Sequence, residues 1–251
     1  MKILVVGNQK GGVGKTTTAI SLAHGLALKG REVLVADLDP QGQCASALGL
    51  EQEPGVFDLL VARKALRDVV RTTGRKDLFL IPGNKRTSTA QNLLVLEQAG
   101  IDTLLAVLRE EMSNGGPDYM VMDTAPSVGG MQEMALWAAD FAVLPTACDG
   151  LAVEGVVEMV ATLENLRHQR GWNGYILGVL PTFYDETTRE SQIVLTELRG
   201  SLGERFVLEP IHRATLLREC AANGKTVFEY APESRAAQEY GALVWKVLDY
   251  E

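Results

Sequence analysis

The stretch that most restricts the fold is QKGGVGKTTT, Gln9 to Thr18. An apolar run, ILVVG (3–7), precedes it, and a long helical pattern ending at Gly30 follows. Strand, glycine turn and helix in that order open a β-α-β unit. Counted back from Gly14-Lys15-Thr16, the residues fit G-x-x-x-x-G-K-[ST] everywhere but the first position. Gln9 stands there, and Gly11 and Gly12 carry the bend instead. Backbone amides of Gly11, Gly12, Val13, Gly14, Lys15, Thr16 and Thr17, at a helix N-terminus, are expected to cradle phosphate oxygens. Lys15 is expected to neutralise β/γ-phosphate charge, and Thr16 to ligate Mg2+. A plain strand–helix turn needs neither the lysine nor the threonines in that order. Lys10, a second lysine just before the glycines, is not needed to grip one phosphate.

Further short apolar runs alternate with helical patterns: VLVAD (33–37), LFLI (78–81), YMVMD (119–123), FAVLP (141–145) and YILGVL (175–180). Near-continuous apolar strands between helices imply an α/β fold, with a twisted, mostly parallel sheet covered by helices on both faces. NGGP (114–117) reads as a turn before a strand, so residues 1–251 are expected to form a single domain. No apolar run reaches membrane-spanning length, and the acidic tip of EYGALVWKVLDYE argues against a basic membrane anchor. Cys44, Cys148 and Cys220 have no CxxC spacing and are expected to be reduced, buried or semi-buried thiols. His24, His168 and His212 form no metal-ligand pattern.

The formal net charge of -8 gives no whole-chain argument for nucleic-acid binding, so a local basic patch is required. Residues 61–90 hold eight Lys or Arg against two acids. Arg63, Arg67 and Arg71 fall at i, i+4, i+8 and are expected to share a helix face. Lys85 and Arg86 follow the next strand. A second set is Arg189, Arg199, Arg205, Arg213, Arg218 and Lys225.

KGGVGKTT resembles the deviant Walker A motif of the ParA/MinD family of P-loop ATPases. The resemblance implies ATP and Mg2+ as cofactors and a nucleotide sandwich homodimer in which Lys10 reaches the partner subunit's phosphates. ADLDPQGQCASALGL (36–50) resembles the family's switch I, D-x-D-P-Q-G. Asp39 then matches the residue that orients or activates the attacking water, and Asp37 ends a strand beside the Mg2+ site. YMVMDTAPS (119–127) is similar to Walker B, with Asp123 holding Mg2+ through water. FAVLPTACDGLAVEGV (141–156) resembles the P-x-x-x-x-x-x-A-L-E-G stretch, with Val153 for leucine. LGVLPTFYDETT (177–188) resembles G-I-x-x-T-M-x-D-x-R-T, with Thr187 for arginine. In the tail, residues 209–240, the resemblance places Ile211 and His212 at the adenine-binding segment, where His212 replaces a proline. Leu216 and Ala221 replace an arginine and a proline.

With the first strand starting at residue 3, no preceding helix-turn-helix arm is expected, nor a membrane helix at the end. The ParA/Soj-type group remains. Membership implies slow, partner-stimulated ATP hydrolysis, non-specific DNA binding by the ATP dimer, and partition or positioning of DNA or a protein cargo with a ParB-like or cargo-adaptor protein. Such a protein is expected to be cytoplasmic and nucleoid-associated. The alternatives are a P-loop ATP-dependent synthetase, which needs a second polar pocket, and an electron-transfer ATPase, which needs a suitable cysteine pair.

Overall fold

The computed structural model describes residues 1–112, 115–126, 130–150 and 152–250. Asn114 of the NGGP turn, Ser127 of the YMVMDTAPS stretch and Leu151 of residues 141–156 lie outside them. Seven strands form one sheet: β1 Lys2–Val6, β2 Val33–Asp37, β3 Arg71–Thr72, β4 Leu78–Ile81, β5 Tyr119–Asp123, β6 Phe141–Ala147 and β7 Tyr175–Thr182. The order is β3-β4-β2-β5-β1-β6-β7, all parallel except the β3–β4 pair. The six expected strands are present. β3 has only two residues, too short to show a period in the sequence.

Twelve α-helices connect the strands among the described residues: α1 Lys15–Leu28, α2 Gln43–Leu48, α3 Val56–Leu60, α4 Leu66–Val69, α5 Lys85–Leu96, α6 Thr103–Glu111, α7 Met131–Ala138, α8 Ala152–Arg170, α9 Arg189–Leu202, α10 Leu216–Ala222, α11 Val227–Tyr230 and α12 Arg235–Leu248. The sheet separates two apolar cores. Ile3 and Val5, Leu34 and Ala36, Met120 and Met122 face one core, filled by α3 to α9. Leu4 and Val6, Val33 and Val35, Tyr119 and Val121 face the other, filled by α1, α2 and α10 to α12. Both sets are buried, which is why the strands read as unbroken apolar runs.

Helix α1 is enclosed almost all round: Lys15 and every residue from Thr18 to Ala27 are buried. It packs on the sheet and on α12. Gly25 makes that approach possible, because a Cβ there would lie 2.3 Å from Val244 Cγ2 and 3.2 Å from Phe228 Cε2. The strand order also sets the position of the loop that precedes α1. β5 is inserted between β1 and β2, so the chain leaves β1 where the sheet changes winding direction, and α/β folds build ligand clefts outside the strand ends at such points.

The arginine-rich segment differs from expectation. Arg63 takes φ 54°, Ala65 is extended, α4 covers only Leu66–Val69 and Arg71 lies in β3. Arg63, Arg67 and Arg71 therefore share no helix face. Val69 is fully buried and Leu66 packs against the same core. Anchoring these apolar side chains and pairing Arg71–Thr72 with β4 outweighs local helix preference.

Candidate active site

The loop from Gly7 to Gly14 turns directly from β1 into α1. Gly14 caps α1 with φ 84°, a left-handed conformation that favours glycine. Asn8 braces the turn from beneath: its buried amide donates to the Pro145 carbonyl at 2.8 Å, and its Oδ1 accepts from the Lys10 N–H at 2.9 Å. Gln9, in the place of the usual first glycine, donates to Thr162 Oγ1 on α8 at 3.1 Å. The α1 N-terminus opens on a cavity of about 350 Å3 lined by Gly12, Gly14, Lys15, Thr16, Thr17, Asp39, Gln41, Gln43, Pro126 and Phe183. Unpaired N–H groups and the helix dipole make it an anion site.

Of the sequence-nominated loop residues, Gly12, Gly14, Lys15, Thr16 and Thr17 line this cavity. Gly11 is exposed at the turn, and Val13 is buried, its carbonyl accepting from Thr182 Oγ1 at 2.9 Å. Lys15 is buried, and its Nζ donates to the Lys10 carbonyl at 2.9 Å. Burial pushes its ammonium below the ordinary lysine range, against the pull of the Asp123 and Asp39 carboxylates. A phosphate offers such a lysine a charged acceptor in place of a carbonyl.

Sheet register assembles the carboxylates. Asp37 ends β2, Asp123 ends β5, and the two are paired across the strands. Both are fully buried. Asp37 accepts from the N–H of Asp39 at 3.1 Å and of Cys44 at 3.0 Å. Burial, then the Asp123 charge, nevertheless raises its carboxyl well above the usual range. Asp123 Oδ2 accepts from the Thr16 hydroxyl at 2.6 Å, whereas Oδ1 is buried without a hydrogen-bond partner. Burial pushes Asp123 up to about 6, opposed by the Thr16 and Cys44 hydrogen bonds and reinforced by Asp39. Two buried carboxylates, one with an unsatisfied oxygen, beside a threonine hydroxyl form a donor set suited to a hard divalent cation such as Mg2+.

Asp39 is half-buried on the cavity wall, where its Oδ1 accepts from the Gln41 N–H at 2.8 Å. The turn that carries it lies hard against the end of β4. A Cβ on Gly83 would fall 2.5 Å from the Asp39 carbonyl and 2.8 Å from Asp37 Oδ1, and one on Gly42 would fall 2.4 Å from the Gly83 carbonyl.

Other nominated residues lie around this centre. Lys10 is half-buried and folds back onto its own chain, with Nζ 2.5 Å from Asp149 Oδ1. Ile211 is a core residue whose backbone pairs with Pro181 and Tyr184. His212 lines a separate cavity with Tyr184 and Arg213. Its Nδ1 meets Glu239 Oε1 at 2.6 Å and its Nε2 meets Arg235 Nη2 at 2.6 Å. Cys44, Cys148 and Cys220 are free and buried, as expected. Sequence reasoning passed over Asn8, Phe183 and Asp149. Phe183 and Asp149 fall inside stretches quoted above for other reasons, but their contacts join residues far apart in the chain.

The basic residues are unevenly available. Lys64 and Arg86 both pair with Asp58, at 2.9 Å and 3.4 Å, and Arg86 also stacks on Phe57. Arg199 sits between Glu204 and Glu209. Arg189, Arg213, Arg218 and Lys225 are exposed. No helix among the described residues is long and apolar enough to cross a membrane.

Comparison with known proteins agrees with this geometry. A family model described as an AAA domain matches residues 1–174. The chromosome-partitioning ATPase Soj of Thermus thermophilus is 38% identical, with 98% of this chain and 94% of that protein covered. The sporulation initiation inhibitor protein Soj of Bacillus subtilis is 34% identical, with 98% of each covered. Among solved structures, a Cyanothece McdA–ATP complex superposes with TM-score 0.88 at 24% identity, covering 98% of this chain and 96% of that one, a likeness of fold. Cobyrinic acid a,c-diamide synthase from Mycobacterium smegmatis, with bound ATP analogue and magnesium, gives 0.84 at 29% identity, covering 100% of this chain and 95% of that one. The chain belongs to the AAA-domain family matched over residues 1–174 and, within it, to the Soj/ParA group of chromosome-partitioning P-loop ATPases.

Proposed function

We propose that this protein binds Mg·ATP at the α1 N-terminus, dimerises in that state, hydrolyses ATP slowly until a partner protein stimulates it, and binds DNA non-specifically as the dimer. The observation that carries the reading is the unpartnered Asp123 Oδ1, buried beside Thr16 and Asp37 at the edge of the loop cavity. An oxygen left so exposed to desolvation is costly unless a cation uses it. Thr16, Asp37 and Asp123 would hold Mg2+, which when bound neutralises charge between the β- and γ-phosphates. Lys15 and the loop amides hold the triphosphate. Asp39, on the cavity wall, positions the attacking water. Ile211 and His212 belong to the segment we assign to the adenine side. Lys10 acts in trans on the partner subunit's phosphates, where a cation offsets repulsion between facing triphosphates. The cargo is DNA or a protein complex, with a ParB-like or adaptor protein as stimulator, and the protein works in the cytoplasm at the nucleoid.

A second reading, a P-loop ATP-dependent synthetase, is favoured by the 29% identity to the M. smegmatis synthase. The curated relatives quoted above are more similar, and the Thermus thermophilus one is a chromosome-partitioning ATPase by name. Sedimentation with Mg2+ and a non-hydrolysable ATP analogue tests the proposal. The parent protein should dimerise, Lys10→Ala should bind nucleotide yet stay monomeric, and Lys15→Ala should lose most nucleotide affinity. Tight dimerisation by Lys10→Ala, or unchanged affinity in Lys15→Ala, overturns the assignment.

A further inference from the structure

Cys44 brings to the carboxylate pair a donor that a magnesium site does not require. Its Sγ faces Asp123 Oδ2 at 3.4 Å, while its own N–H donates to Asp37 Oδ2. Sγ and one oxygen from each of Asp37 and Asp123 lie within 4.8 Å of one another, and all three residues are buried. Zinc-type ions hold thiolate at about 2.3 Å and carboxylate at about 2.0–2.2 Å, so three such donors around one ion stand roughly 3.5 Å apart. The donors here need only small adjustments to reach that spacing. The unpartnered Asp123 Oδ1 is a separate indication that this carboxylate is prepared for a ligand. Thr16, which lines the open cavity, donates to Asp123 and so links the cavity wall to the cluster.

We propose that Asp37, Cys44 and Asp123 form a mixed oxygen–sulfur site that takes a thiophilic divalent cation of the zinc class in the nucleotide-free protein. The cation replaces the Sγ proton, which leaves to water, and nothing is oxidised or reduced. Water or a second carboxylate oxygen completes the coordination. Thiolate favours zinc and cadmium over magnesium, whose preferred donors are all oxygen. Binding would occupy the carboxylates assigned above to Mg2+ and so inhibit ATP turnover. That consequence rests on the ATPase reading, whereas the binding itself does not.

Cadmium is the probe, because a cadmium–thiolate bond adds an ultraviolet charge-transfer band that a carboxylate site lacks. The protein carrying Cys148→Ser and Cys220→Ser, free of nucleotide, is titrated with Cd2+. The expected result is an absorption band that saturates at one equivalent. The band should vanish on adding Cys44→Ser, and its midpoint should rise at least about tenfold with Asp123→Asn. No band when Cys44 is the sole thiol, or an Asp123→Asn midpoint equal to that of its background, overturns the site. Should the double-serine variant not fold, 113Cd NMR of the parent protein decides. A resonance for one sulfur with oxygen ligands, absent in Cys44→Ala, supports the site, and its absence from the parent refutes it. Nucleotide takes no part in either measurement, so failure here is separate from failure of Mg·ATP binding.

Discussion

Asp123 is held ionised at neutral pH against its surroundings. Its carboxyl has an ordinary value of 3.8 and is pushed up to about 6 by burial. The folded protein therefore holds this proton more tightly than the unfolded chain. The penalty is full above pH 6 and lifts as pH falls through 6 towards 4. Without a divalent cation, Asp123→Asn should be more stable than the parent at pH 7.5 by about 1–3 kcal/mol, and the gap should shrink to about a third of that by pH 4.5. Denaturant melts at the two pH values check this, and equal stabilities at pH 7.5 would contradict it. Lys10 and Asp149 make an ion pair with both side chains part-exposed, at 31% and 47%. Such pairs contribute about 0–1 kcal/mol, too little to hold Lys10 against a triphosphate in a water-poor interface. Asp149→Asn should therefore strengthen ATP-dependent self-association by no more than roughly fivefold. A loss of dimer in light scattering would show instead that Asp149 is part of the interface.

At the level of elements, α1 packs closely against α12. The closest atom to a Cβ at position 25 is Val244 Cγ2, on another helix, and Phe228 stands next to it. Gly25→Val should cost about 1–3 kcal/mol by overpacking, read as a lower melting temperature with nucleotide affinity reduced in parallel. An unchanged melting temperature would mean that α12 can move away freely. The elements differ in how plainly the sequence announces them. β1, β2, β4 and β5 are legible because both of their faces are buried, so each is an unbroken apolar run. The arginine-rich segment misleads because an i, i+4, i+8 spacing records only what a helix would do. Burial of Val69 and the pairing of β3 with β4 decide otherwise. At the site, the Lys15 and Thr16 positions are legible because the chemistry ties residue type to spacing, whereas Asp37 and Asp123 are singled out by the resemblance of residues 36–50 and 119–127 to the family's stretches. The Lys10–Asp149 contact spans 139 positions and the Thr182–Val13 contact 169, and no local pattern carries such a pairing.

Over the whole molecule, a net charge of -8 opposes a polyanion, so DNA binding has to come from cations gathered on one side. Arg63, Arg67, Lys85, Arg189, Arg205, Arg213, Arg218 and Lys225 are among the exposed candidates, whereas Lys64 and Arg86 are already engaged by Asp58. The proposed dimer would carry twice whatever patch one chain has. Affinity for duplex DNA should be higher with a non-hydrolysable ATP analogue than with ADP, and should fall steeply with salt through counterion release. Fluorescence anisotropy across a salt series measures both, and equal binding in the two nucleotide states would refute a DNA-bound dimer. The backbone contacts of Gly42 and Gly83 add a mechanical consequence. With no room for even a methyl group between these segments, the turn bearing Asp37 and Asp39 meshes with the end of β4 like two gears without backlash. Gly83 is two residues from Lys85, where α5 begins. A main-chain shift at Asp39 would therefore press on Gly83, and through it on the base of that helix.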